Sequence, residues 1–152
     1  MRVEAADTQS SSSPSSFLRR NGLYFAWVVS MVATLGSLYF SEIKGYAPCS
    51  LCWYQRIFMY PQAILLGIAS YRGDRRIIGY VLPLNFIGMA ISIYHNAEIW
   101  FPWLAEMLPC KAGIPCNFDY LNLFGWITIP LMALTSFILI AIFLLAGREK
   151  DE

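Results

Sequence analysis

Charge is what this 152-residue chain has least of. Asp, Glu, Lys and Arg together make up 14% of it, where a soluble domain carries about 25%. That is too little to clothe a globule in water. The formal net charge is +1, and the basic residues fall in small clusters between apolar blocks. No basic patch exists to neutralise phosphates, which excludes a nucleic-acid partner. Histidine occurs once, at His95. No two glycines stand at GxxxG spacing, so nothing points to helix dimerisation through small residues. There is also no internal repeat and no stretch that reads as a soluble domain.

Apolar residues take the place of charge, at 57% of the chain, with aromatics at 16%. They gather into four stretches: Leu23 to Phe40, roughly Leu51 to Tyr71, Ile77 to Tyr94, and Leu123 to Leu145. At 1.5 Å per residue, each is long enough for a hydrocarbon core of ~30 Å. The expected fold is therefore an all-α membrane protein, a bundle of four transmembrane helices. The second stretch is the least pure, with Gln55 and Arg56 near its start. Pro61, Pro83 and Pro130 are expected inside helices two to four, where lipid-embedded helices accept proline as a kink.

Orientation follows from Lys and Arg in the short loops. Arg2, Arg19, Arg20, Arg72, Arg75, Arg76, Arg148 and Lys150 fall on one side, eight in all, against Lys44, Arg56 and Lys111 on the other. Both termini are expected in the cytoplasm, with the 41–50 and 95–122 loops outside. The first 16 residues are Ser-rich and aperiodic, so residues 1–20 read as a disordered cytoplasmic tail. A cleaved signal peptide fits less well, since the apolar block is long and no small-x-small site follows it. Residues 21–147 form the membrane domain and 148–152 a second cytoplasmic tail. In the second outer loop, Trp100, Trp103, Leu104, Met107 and Leu108 recur at helical spacing behind Pro102, which predicts a short helix in the membrane interface.

This topology puts all four cysteines outside the cytoplasm, the side on which disulfides form. Cys49 and Cys52 make a C-x2-C pair, and Cys110 and Cys116 a C-x5-C pair that Gly113 and Pro115 can turn back on itself. Each pair can close locally, which favours 49–52 and 110–116 over the other two connectivities, unless the pairs exchange. Zinc bound by four thiolates is disfavoured by the loose second spacing and the oxidising location, and no metal ligand set is expected. Haem attachment needs His directly after C-x2-C, and Trp53 stands there. A purely structural role is the remaining competitor, but a C-x2-C ring is small and strained and fixes no long loop. Reducibility explains it better.

Pro48 and Cys49 lead into helix two, and Cys52 falls in its first turn, where free N–H groups and the helix dipole favour a thiolate. Arg56 follows Cys52 by four residues on the same face. An arginine on the outer side opposes the positive-inside bias and costs roughly 1 to 3 kcal/mol even when partly buried. It can stabilise the Cys52 thiolate or hydrogen-bond a carbonyl of a lipid-phase oxidant. Just after helix three, His95 can donate a proton to a reduced acceptor, and Glu98 can pair with Arg56.

The run Cys49-Ser50-Leu51-Cys52-Trp53-Tyr54-Gln55-Arg56 at the start of the second of four helices, with a second pair in the next outer loop, resembles the DsbB family of membrane thiol:quinone oxidoreductases. The likeness covers about residues 20 to 146. The five-residue separation of the loop pair is similar to the short Bdb-type relatives of Gram-positive bacteria. The resemblance implies that Cys110 and Cys116 take electrons from an extracytoplasmic DsbA-like thioredoxin-fold protein through a mixed disulfide. It further implies that Cys49 and Cys52 receive them by exchange, and that Cys52, beside Arg56, reduces a membrane quinone, either ubiquinone or menaquinone. His95 matches a quinone-side histidine of the family. Two other readings share some of these features. A vitamin K epoxide reductase-like protein has the bundle and the paired cysteines, but with the loop pair before the C-x2-C helix. A non-enzymatic membrane subunit would use its disulfides only as braces.

Overall fold

A computed structural model describes residues 14–107 and 124–148. The helices run in the order α1 (Pro14–Leu38), α2 (Ser50–Arg72), α3 (Ile78–Trp100), the short α4 (Pro102–Met107) and α5 (Ile129–Arg148). A π-helical turn, Tyr39–Ile43, continues α1, and a 3-10 turn, Arg75–Ile77, leads into α3. The four long helices pack in a closed ring, α1 against α2 and α5, and α3 against the same two.

Three helical segments are long and apolar enough to cross a membrane: Pro14–Ile43, Arg75–Trp100 and Ile129–Arg148. α2 matches them in length, but Gln55, Arg56 and Gln62 dilute its apolar character. Burial runs opposite to that of a soluble bundle. Val32, Ile64, Tyr71 and Tyr80 are exposed, whereas Gln55, Gln62, Asn85, Ser92, His95, Asn96 and Glu98 are buried. Polar groups inside and bare apolar side chains outside suit a lipid surround, where a polar atom must find its partner within the protein. Asn85 does so across two helices, donating from Nδ2 to the Phe137 carbonyl at 3.0 Å.

The core is built from Ala26, Met59, Leu66, Val81, Leu82, Phe137, Ile140 and Leu144. Two glycines set its closest approaches. A Cβ on Gly22 would stand 2.5 Å from the Phe143 carbonyl, and one on Gly88 the same distance from the Phe137 ring. At the end of the bundle away from the cysteines, Arg75 ties three elements together. It donates to the Gly147 carbonyl at 2.8 Å and to the Arg20 carbonyl at 3.3 Å. The basic clusters around residues 20, 75 and 148 thus share one end of the bundle.

Several boundaries differ from the sequence expectation. Pro14 to Arg20 are helical, within α1, rather than part of an unstructured tail. Residues 1–13 lie outside those described. α3 continues to Trp100, so His95 and Glu98 sit within its last turns instead of in a loop. The helix stops at Phe101 because Pro102 disfavours helical backbone in the residue before it. Trp100 therefore ends α3, and only Trp103 and Met107 of the predicted stripe stand exposed on α4, with Leu108 beyond the described residues. Pro61 and Pro83 are interior to α2 and α3 as expected. Pro130 is not an interior kink: it occupies the first turn of α5, capped by the Thr128 side chain, which accepts from the Leu131 N–H at 3.4 Å.

The close glycine approach is directly testable. Gly22→Ala should force α1 away from α5 and lower the unfolding midpoint in detergent, at a cost of about 1 to 3 kcal/mol. Gly79→Ala is the control. A Cβ there meets nothing within 4 Å, so the change should be neutral or stabilise the helix by up to about 1 kcal/mol.

Candidate active site

Cys49 is the N-cap of α2. Its backbone is extended (φ −73°, ψ 174°) and its side chain accepts from the Cys52 N–H. The N–H to Sγ distance pair is 3.4 Å, and the Cys49 carbonyl also accepts from the Trp53 N–H at 3.1 Å. A sulfur thus fills the place usually taken by a Ser or Asp oxygen. The sequence assigns the free amides of this helix end to Cys52; the structure gives one of them to Cys49. The two sulfurs stand 3.2 Å apart as free thiols.

α3 supplies the third member of the cluster. His95, 1% exposed, brings Nε2 to 3.7 Å from the Cys49 sulfur. Its other nitrogen, Nδ1, is 3.2 Å from Nε2 of Gln55, one turn beyond Cys52 on α2. When the Gln55 amide donates to Nδ1, the remaining proton of a neutral imidazole lies on Nε2, directed at Cys49. The pKa of Cys49 is lowered, first by the hydrogen bond from Cys52 and then by His95, against the opposing effect of burial. This single-proton arrangement makes Cys49 the thiolate of the pair.

Arg56 also reaches the site, but by a different attachment from the one expected. Its Nη2 donates to the Ser37 carbonyl of α1 at 3.1 Å, and its guanidinium lies 5.5 Å from the centre of the Trp53 ring. Glu98 is buried, but its Oε2 has no hydrogen-bond partner among the described residues; Arg56 bonds to α1 instead of to Glu98. Tyr60, one turn further along α2, donates to Ser37 Oγ at 3.3 Å.

Between α1, α2, α3 and α5 lies a mostly apolar cavity of about 390 Å³. Cys49, Cys52, Gln55, Arg56, Tyr60 and His95 all line it. Such a volume is in the range of small-molecule sites, which combine apolar walls with a few convergent polar groups. Four of the six predicted site residues, Cys49, Cys52, Arg56 and His95, are thereby brought together. The other two, Cys110 and Cys116, lie outside the described residues. Sequence reasoning noticed Gln55 only as an impurity in an apolar stretch, and missed Ser37 and Tyr60. The signal for Gln55 was its position, three residues after Cys52 and therefore on the same helical face.

A dithiol, a histidine and an arginine on the wall of an apolar cavity, within a bundle bare of polar surface, define a membrane thiol–disulfide protein. Residues 19–147 match the family model described as "Disulfide bond formation protein DsbB", and the chain belongs to that family. It is 54% identical over 131 residues to "Disulfide bond formation protein C" of Bacillus subtilis, covering 86% of this chain and 95% of the relative. It is 45% identical over 126 residues to "Probable disulfide formation protein C" of Halalkalibacterium halodurans, covering 82% and 92%. With "Probable disulfide formation protein" of Coxiella burnetii it shares 40% over 132 residues, covering 86% and 90%. No solved structure matches the chain. The chain is a membrane disulfide bond formation protein with oxidoreductase character; the epoxide reductase-like and structural-subunit readings are not favoured.

The thiolate assignment has a pH signature. Because its pKa is lowered, Cys49 of the reduced protein should keep reacting with iodoacetamide as pH falls through neutrality, where an ordinary thiol of pKa ~8.5 has lost most of its reactivity. Cys52→Ala should move the midpoint of that profile upward further than His95→Ala does. Mass-resolved alkylation across pH reads both, and unmoved midpoints would refute the arrangement.

Proposed function

We propose that the protein is a thiol:quinone oxidoreductase that reoxidises an extracytoplasmic, DsbA-like thioredoxin-fold dithiol and passes two electrons to ubiquinone or menaquinone. The observation that carries this reading is the convergence of the Cys49–Cys52 pair, Arg56 and His95 on one apolar cavity. The donor set suits a quinone: a flat apolar ring fits the walls, and a guanidinium suits a carbonyl oxygen on which negative charge grows. When bound, the quinone supplies a two-electron, two-proton acceptor.

The chain's own residues do the rest. Cys110 and Cys116 meet the partner and exchange with Cys49–Cys52, leaving the latter as a dithiol. Gln55 orients the imidazole of His95, which holds the proton beside Cys49 Sγ, so that Cys49 can serve as the exchanging thiolate. Cys52, on the cavity wall and four residues before Arg56, is the sulfur that faces the acceptor. Arg56, tethered to α1 through Ser37, offers its remaining N–H donors to that acceptor. Closing the disulfide from the Cys49 thiolate and the Cys52 thiol releases two electrons and one proton; the second proton that a two-proton acceptor takes comes from solvent, and His95 is placed to carry it.

In this reading α2 is a fourth span, both termini face the cytoplasm of a bacterial cell, and the cysteines lie on the outer face, with α4 in the outer membrane interface. The shared end of the basic clusters supports this orientation.

The test is to mix the purified chain with a reduced thioredoxin-fold dithiol and a soluble quinone and to follow quinone absorbance. Bleaching should depend on the chain and vanish in Cys52→Ser; an unchanged band with the intact chain would sink the proposal. Arg56→Ala should raise the apparent KM for quinone roughly tenfold, on the order of 1.4 kcal/mol, while partner oxidation at saturating quinone falls less. Equal losses in both would mean simple destabilisation.

A further inference from the structure

The three atoms that make the redox site also have the geometry of a metal site. Cys49 Sγ, Cys52 Sγ and His95 Nε2 all lie within 4.8 Å of one another, with Sγ to Sγ at 3.2 Å and Cys49 Sγ to Nε2 at 3.7 Å. Ligand atoms on a tetrahedral zinc, with Zn–S of about 2.3 Å and Zn–N of about 2.0 Å, stand roughly 3.5 to 3.8 Å apart. The two sulfurs would move apart by about half an ångström and Cys49 Sγ and Nε2 would close by about 0.2 Å, while Cys52 Sγ already lies within 4.8 Å of Nε2. The spacing is also right, since C-x2-C at a helix start is a common zinc-binding pair.

The surroundings favour a cation as well. Two thiolates and a neutral imidazole are the ligands that soft and borderline divalent metals select. Coordination requires Nε2 to lose its proton, so that Nδ1 carries the hydrogen. Gln55 accommodates that tautomer: turning its amide presents Oε1 to Nδ1–H, the outer-shell bond that orients most metal-bound histidines. All three ligands line the cavity, which leaves a fourth position open to water or to a small ligand.

We propose that the dithiol form of this protein holds one zinc-class divalent cation between Cys49, Cys52 and His95, and that the disulfide form does not. Binding releases the proton still held by Cys52, since Cys49 is already the thiolate, and needs no electron transfer. Oxidation to the disulfide removes both thiolates and leaves only the imidazole, so the site exists in one redox state alone. A bound cation holds both sulfurs as ligands and thereby keeps them from reaching an electron acceptor. The site is then an inhibitory one, through which thiophilic metals outside the cell would trap the enzyme in its reduced form. The inference rests on the positions of three atoms, and its failure would leave the quinone proposal untouched.

The experiment uses the full chain carrying Cys110→Ser and Cys116→Ser, so that only two thiols remain, titrated with Co2+ after reduction and removal of the reductant. One Co2+ per chain should bind, with a thiolate charge-transfer band and visible bands of tetrahedral intensity, and an equivalent of Zn2+ should displace it. Oxidation of the pair with diamide should abolish the spectrum. His95→Ala should weaken binding by about tenfold or more, and His95→Cys should restore it with added thiolate intensity. If His95→Ala does not fold, protection decides instead: Zn2+ should slow alkylation of Cys52 in the unsubstituted reduced chain, and a chelator should reverse this. A spectrum absent from the reduced chain, equal before and after oxidation, or indifferent to His95 would overturn the proposal, as would alkylation unaffected by Zn2+.

Discussion

The hydrogen bond from the Cys52 amide to the Cys49 sulfur is the contact on which the site depends. A helix beginning inside or near a bilayer has amides that must be satisfied by the protein itself. At α2 one of them is given to a sulfur, which fixes the position of Cys49 Sγ relative to the helix axis. Everything else is then placed by helical periodicity. Cys52 is in the first turn, Gln55 stands three residues further on the same face, and Arg56 four. A cap that is also one of the two paired sulfurs couples the start of the helix to the dithiol.

Polar residues hold the surrounding helices to this end. α3 contributes His95, which is held from two sides by Cys49 and Gln55. α1 contributes the Ser37 carbonyl, just before its hydrogen bonding changes to the π-helical turn Tyr39–Ile43. π-turns are frequent at functional sites, and here the guanidinium of Arg56 bonds to α1 two residues before the turn begins. Its desolvation is offset by a backbone acceptor and an aromatic face, while a planar group with five N–H donors keeps several for the cavity.

The sequence was most legible where one property dominated. Long apolar runs located the helices, and the C-x2-C at a helix start with arginine one turn on located the redox pair. It was least legible where partners come from different helices. Nothing in the spacing of residues 49 to 56 says that residue 95 lies beside them; only packing of α3 against α2 does. The boundary errors have local causes. His95 to Trp100 looked like loop because polar residues appear there, yet Asn96 folds back to accept helical geometry by donating to the Ser92 carbonyl at 2.8 Å. Pro130 looked like a kink because the apolar run begins before it, yet Thr128 starts the helix only two residues earlier.

The same reasoning explains why Glu98 misled. Its charge and its position after an apolar stretch suggested a partner for Arg56, on the assumption that charges near a membrane pair with one another. Geometry decides otherwise. Arg56 bonds to the Ser37 carbonyl of α1, and Glu98 is buried but is not among the residues that line the cavity. A guanidinium held by a carbonyl and an aromatic face, rather than by a carboxylate, suits the electron-accepting ring proposed for the cavity better than a neutralised pair would. An adjacent carboxylate would cancel the positive potential and repel the developing negative charge. With no carboxylate among the described residues bonded to it, Arg56 keeps its charge for the cavity that it lines together with Cys49 and Cys52.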